Sequence, residues 1–290
     1  MSDHICGAGC NHFSHLNDPD LMGEFAEARK NLRAAIGGTP SPGVLGLAGV
    51  TQRALPSKKA GEQVNHYYVP ANNKTVHWGY FSKKMDPLLK VESGDYVTIE
   101  TVTHHSNDDI DRMVKGDKGV ESIFHWDAKG KAIDRRGMGP MDHPLGAGGG
   151  LGVHVCTGPV YINGAEPGDV IEVRIVDTMQ RPSGNPDYRG KTFGSNAASN
   201  WGFHYNNMVT EPKGREVVTI YEVDAKGEQS WAKAVYNYQW TPQTDPFGKV
   251  HSIIDYPGVP VDKNSIKPNY DVLKGLSLIH ISEPTRLRRI

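Results

Sequence analysis

Long hydrophobic runs are missing from this sequence. No apolar stretch approaches the roughly 18–20 residues that a helix needs to cross a bilayer, so no membrane-spanning helix is expected. Net charge is nearly absent as well. The 32 Lys and Arg balance 33 Asp and Glu to a formal −1, which removes any global electrostatic case for nucleic acid or an anionic membrane as partner. Cysteine is scarce. The three present, Cys6, Cys10 and Cys156, are odd in number, which argues against a disulfide framework and fits a reducing compartment. No charged-then-apolar leader opens the chain, so the expected location is cytoplasmic. Nucleotide signatures are lacking too. The run Gly146–Gly152 holds neither G-x-G-x-x-G nor Gly-Lys-Ser/Thr and leads into a strand pattern, so it reads as a flexible loop over a small substrate.

Turn-forming residues are plentiful. The 33 glycines and 19 prolines favour short strands separated by turns over long helices. Period-2 alternation marks strands at 64–69, 74–81, 96–103, 121–126, 153–155, 159–162, 170–177, 216–223 and 231–239. Strands do not alternate with helices, which excludes a parallel α/β sheet. The expected fold is mainly β, a sandwich or barrel-like arrangement, with one N-terminal helix at about 19–36. That helix starts at Asp18-Pro19, carries an apolar stripe of Leu21, Phe25, Ala28, Leu32 and Ala35, and stops at Gly37-Gly38. Residues 39–63 read as a linker, which makes 1–63 an N-terminal appendage. Glu92-Ser93-Gly94-Asp95 and Glu166-Pro167-Gly168-Asp169 form an internal echo. Each is a turn signal that launches an alternating run.

The string Thr157–Asp169, reading TGPVYINGAEPGD, with His154 just ahead of it, resembles the acetamidase/formamidase family. Supporting stretches are Thr75–Phe81, Val91–Thr101, Gly137–Pro140, Gly146–Gly152 and Pro257–Pro260. The likeness covers residues 64–275 and implies an acetamidase/formamidase-type β domain. It also implies an amidohydrolase that splits short aliphatic amides, such as formamide and acetamide, into ammonia and a carboxylate. A Gly-Asp-x-His-Ala-x-x-Gly-Asp-x-Glu segment that family members carry toward the C-terminus has no counterpart here. Residues Leu276–Arg286 resemble the translated adapter of a sequencing library. On that reading 276–290 is a non-native tail, and 64–275 is an incomplete domain. Uncovered sheet edges in such a domain suggest a homo-oligomer.

Amide hydrolysis needs an activated water, a polarised carbonyl and a proton for the departing ammonia. A divalent metal, zinc above all, supplies the first two, and a carboxylate can move the proton. Thr103–Asp111 is the densest cluster of suitable groups, with two His and three Asp after the strand at 96–103. His104 and Asp109 of that cluster are the expected metal ligands; the resemblance adds His154 as a site residue and hence a third expected ligand, and Glu166 is the expected proton shuttle. The bland reading of the cluster is a solvated loop whose Asn and Asp side chains cap turns. Asp169 reads as a turn cap, and Cys156 as a small core residue. Cys6, Cys10, His12 and His15 form a chemically competent zinc set at the N-terminus. The alternative to an enzyme is a non-catalytic β-domain that binds a small ligand or a partner.

Overall fold

The structure is a computed structural model that describes residues 43–45, 49–55, 64–79, 81–126, 132–139, 154–198, 217–224, 231–244, 250–252 and 261–271. The expected helix at 19–36, the Cys6/Cys10/His12/His15 set, the Gly146–Gly152 loop and the 276–290 tail lie outside them. The chain divides into two units, residues 1–42 with 166–178, and residues 43–165 with 179–290. Among the described residues no helix is long and apolar enough to cross a membrane.

The second unit is mainly β and is built from several small sheets, with no closed barrel among the described strands. The largest sheet has four strands in the order Gly43–Leu45, Val50–Leu55, Val64–Val69 and Tyr96–Ile99. Its first three strands are antiparallel, and Tyr96–Ile99 runs parallel to Val64–Val69, with His66 opposite Tyr96. Residues 50–55 are therefore a strand, where the sequence suggested linker. Val50 is buried with Tyr67, Val69, Leu89 and Val91 in one apolar cluster, and this burial outweighs the Pro and Gly punctuation around it. A second sheet places Val217–Val223 between Thr192–Ala198 and Ala232–Gln239, all antiparallel. Val218, Ile220, Tyr236, Tyr238, Trp240 and Val261 form the core of that sheet.

Several expected strands are shorter or shifted. The pattern at 74–81 yields Val76–Trp78, and 153–155 becomes Val155–Thr157, its antiparallel partner. The pattern at 121–126 gives a strand only at Phe124–Trp126. Lys118–Ile123 is helical because the Asp117 carboxylate accepts from Gly119 N at 3.0 Å and Val120 N at 3.1 Å, an N-cap that helix starts favour.

The two echoed turns match closely, yet the runs that follow them differ. In each, the Asp carboxylate accepts from the Glu amide, at 2.9 Å in Glu92–Asp95 and 2.8 Å in Glu166–Asp169. In each, the Asp amide donates back to the Glu carbonyl, and the glycine has positive φ. Tyr96–Ile99 then pairs with a neighbour. Val170–Asp177, expected as a strand, is not one. Val170 is 97% exposed, Val173 77% and Ile175 77%. Alternation specifies which face of a strand would be buried, but a strand forms only where a partner takes its backbone hydrogen bonds. No described residue does so here.

A half-buried ion network ties the first sheet to the helix Lys118–Ile123. Arg181 reaches Glu100 at 2.7 Å and Asp117 at 2.6 Å. Glu100 also accepts from the Tyr68 hydroxyl and from Ala71 N. The backbones of Gly116 and Gly184 cross beside this network. A side chain at Gly116, whose φ is +84°, would collide with the Gly184 carbonyl, so the approach requires glycine.

Candidate functional site

The polar cluster after Tyr96–Ile99 folds as a 3-10 helix, His104–Asp109, followed by a short α-helix, Ile110–Met113. The Thr103 hydroxyl accepts from His105 N at 3.1 Å and starts the first of these. Ile110 and Val114 pack on the cluster around Trp78 and Phe124, while Met113 packs on the cluster of the second sheet. The helical segment is thus wedged between two cores. That is why Ser106, Asn107, Asp108 and Asp109 are buried, where a solvated loop would expose them.

Three imidazoles meet at this segment. The His104 and His105 ring centroids are 4.2 Å apart, and the exposed His154 lies edge-on to His104 at 6.1 Å. His154 is held at the start of Val155–Thr157, where its carbonyl accepts from Gly79 N at 2.9 Å. His105 Nδ1 lies 2.9 Å from Asp108 Oδ2, and the Ser195 hydroxyl donates to the same oxygen at 2.5 Å.

The two adjacent histidines are pushed apart in pKa. Burial, then the His105 and His154 charges, pulls His104 from 6.5 down to about 4. Burial also works against a charged His105, but the hydrogen bond and charge of Asp108 outweigh it and hold that ring above 6.5. Near neutrality His104 is a free base, and His105 is the better proton donor. These shifts bend stability in opposite directions. As pH falls from 6.5 toward about 4, the unfolded chain protonates His104 before the folded one does, so stability is lost on that side. Stability from His105 is full below 6.5 and is lost as pH rises through its raised value. Urea midpoints measured across this range should therefore show the acid-side loss shrink in His104→Ala. An unchanged acid limb would contradict the assignment.

The expected site residues separate. His104 and His154 come together. Asp109 is taken up by the fold. It accepts from Arg112 N at 3.0 Å as a helix cap, pairs with the Arg112 guanidinium at 2.8 Å, and takes the Tyr236 hydroxyl at 2.8 Å. Arg112 is in turn stacked on Tyr188 at 4.7 Å. Glu166 belongs to the other unit and is exposed on its turn, where Asp169 is the cap. Burial pushes the Cys156 thiol up, away from the thiolate a nucleophile needs. Among the described residues no three His, Cys, Asp or Glu side chains group as a metal-binding set. His105, Asp108 and Ser195 are participants that sequence reasoning did not select. Adjacency to His104 was the only available signal for His105, and none pointed to Ser195.

Asn107 poses a separate question. It is 3% exposed, and neither its Nδ2 nor its Oδ1 has a hydrogen-bond partner among the described residues. It contributes to the wall of a cavity of about 140 Å³, alongside Asp109, Arg112, Tyr236 and Tyr270, that the three histidines do not line. An unsatisfied buried amide costs about 1–3 kcal/mol. Asn107→Leu, which removes the unpaired groups at similar volume, should raise stability by about that amount. A lower urea midpoint would show that the amide is satisfied in solution.

Compared with protein-family models and with curated proteins, the chain has no match.

Proposed function

We propose that this chain is an amidohydrolase of the acetamidase/formamidase type, acting on short aliphatic amides at the His104–His105–His154 cluster. The observation that carries the reading is the meeting of His154, which precedes the family-like string, with the pair His104 and His105 from a separate element. The opposed pKa shifts of that pair support it, because hydrolysis needs a base and an acid side by side. His104, neutral at working pH, takes a proton from water as the water oxygen attacks the amide carbonyl carbon. The resulting tetrahedral adduct expels its nitrogen. His105 gives that nitrogen the proton it needs to leave as ammonia, the carboxylic acid remains, and exchange with solvent takes the proton from His104 and returns one to His105. Glu166 is not required by these steps.

A divalent cation would find two imidazole donors here, His104 and His154. The third expected donor, Asp109, is committed to Arg112 and Tyr236. The fit is partial, so the steps above run through side chains alone. If a cation is resident, it would polarise the carbonyl and acidify the water. Metal analysis of the protein as isolated, and again after His104→Ala, tests that separately.

The test of the reading is ammonia release from formamide, acetamide and longer amides. Release that falls as the alkyl chain lengthens is expected, and no release from any of them refutes it. One observation favours the second reading, a partner-binding β-domain: the apolar side chains of Val170, Val173 and Ile175 are exposed. Under that reading His154→Ala changes nothing.

A further inference from the structure

Asp108 and Asp109 are consecutive buried carboxylates with different company. Asp109 has a guanidinium, a backbone N–H and a tyrosine hydroxyl. That is a satisfied structural charge. Asp108, with a side chain 7% exposed, has no Lys or Arg beside it among the described residues, and its one ionisable partner is His105. A buried carboxylate without a cation of its own is unfavourable unless its hydrogen bonds are strong. Two side chains of the second sheet hold it. Ser195, on Thr192–Ala198, donates to Oδ2 at 2.5 Å, and Tyr238, on Ala232–Gln239, donates to the Asp108 carbonyl at 3.2 Å. Ser195 therefore fixes the carboxylate from the sheet side, and Tyr238 fixes the backbone that carries it.

An ionised carboxylate has only acceptors to offer, so the His105 nitrogen 2.9 Å away must carry the hydrogen. The other nitrogen, Nε2, makes no hydrogen bond among the described residues. A carboxylate that fixes a ring in this way selects both its orientation and its tautomer.

We propose that Asp108 is a positioning residue for the histidine centre: clamped by Ser195, it holds Nδ1–H of His105 and leaves Nε2 as the working nitrogen. In the hydrolase reading, on which the catalytic consequence rests, the proton given to the departing nitrogen comes from Nε2–H, and the N–H bond's electron pair stays on Nε2. Asp108 keeps its contact with Nδ1–H throughout and so holds the ring in place between turnovers. The second sheet then reaches the Asp108 carboxylate through the Ser195 hydroxyl, so a change at Ser195 alters the histidine with no contact to substrate.

The experiment uses the full chain labelled with ¹⁵N-histidine. Long-range ¹H–¹⁵N spectra, recorded above the pH at which His105 loses its proton, report which ring nitrogen carries hydrogen. The expected result is Nδ1–H in the wild type and a shift toward Nε2–H in Asp108→Ala. Asp108→Asn should keep Nδ1–H, because its carbonyl still accepts. On formamide, Asp108→Ala should lower kcat about ten- to a hundred-fold with KM little changed. Ser195→Ala should move tautomer and kcat partway, and Ser195→Thr should restore both. If Asp108→Ala does not fold, the serine pair carries the test. Nε2–H in the wild type, or Nδ1–H persisting in both Asp108→Ala and Ser195→Ala, overturns the proposal. If the tautomer behaves as stated but the wild type releases no ammonia, the positioning role stands and the hydrolase reading fails.

Discussion

Arg181→Met lowers the stability of this protein by about 3 kcal/mol at neutral pH, the low end of the cost of breaking a buried ion pair. The low end applies because the Arg181 and Glu100 side chains keep 26% exposure each and Asp117 keeps 15%, so solvent screens part of the loss. With Arg181 in place one cation serves two carboxylates. With methionine there, Glu100 and Asp117 lose the cation they share, and among the described residues only Tyr68 and the Ala71 amide still donate to the Glu100 carboxylate. Arg181→Lys should fall between the two, since an ammonium keeps the charge but cannot fork across both partners.

The acid side gives this prediction a second edge. Burial alone would raise the Asp117 carboxyl, but the hydrogen bonds and charge of Arg181 overrule it and hold the pKa below 3.8. In the wild type that contribution is therefore full above 3.8 and fades as pH falls through the depressed value. In Arg181→Met burial acts unopposed by that cation, and acidification relieves the defect by neutralising the carboxyls. Urea midpoints at neutral and mildly acidic pH should show the gap between the two proteins narrowing in acid. A gap that is absent at neutral pH, or that widens in acid, would mean the network holds nothing together.

His154→Ala is expected to cut amide hydrolysis by about a hundred-fold or more, the scale of losing a group that acts in proton transfer or substrate placement. Its strength as a test lies in exposure. His154 is exposed, and surface substitutions usually move stability by less than about 0.5 kcal/mol. A fall in kcat with an unchanged urea midpoint therefore reports on chemistry. Equal turnover in wild type and variant would remove His154 from the site and leave the resemblance around Thr157–Asp169 without a mechanism.

Strands whose alternation meets a neighbour were legible in the sequence. Val64–Val69 matches its pattern, and Val217–Val223 and Ala232–Gln239 start one residue later than theirs, because each pairs along its length with a neighbouring strand. The same alternation at Val170–Asp177 misled, since no described flank pairs with it. Thr192–Ala198 went unseen for the opposite reason. Its Gly194, Ser195, Asn196 and Ala197 carry no apolar alternation, and the strand exists because Val217–Val223 runs antiparallel to it. The site shows the same limit. Residue types marked His104–Asp109 as chemically dense, but they did not reveal that Arg112 would claim Asp109. Nor did they reveal that Asp108 would turn to His105 and Ser195. Those choices depend on Tyr236, Tyr238 and Ser195, which packing brings from distant strands. Arg181 was invisible for the same reason, because nothing in its local sequence names Glu100 or Asp117.

Whether the His104–His105–His154 cluster hydrolyses small amides comes down to one NMR tube. The purified 290-residue protein is mixed with ¹⁵N-formamide, and the nitrogen signal is followed beside an identical sample of His154→Ala. Steady conversion of the amide resonance to ammonium is expected in the wild type, and almost none in the variant. Conversion in neither would refute a hydrolytic role for the cluster, and equal rates in both would contradict the part of the account that rests on His154.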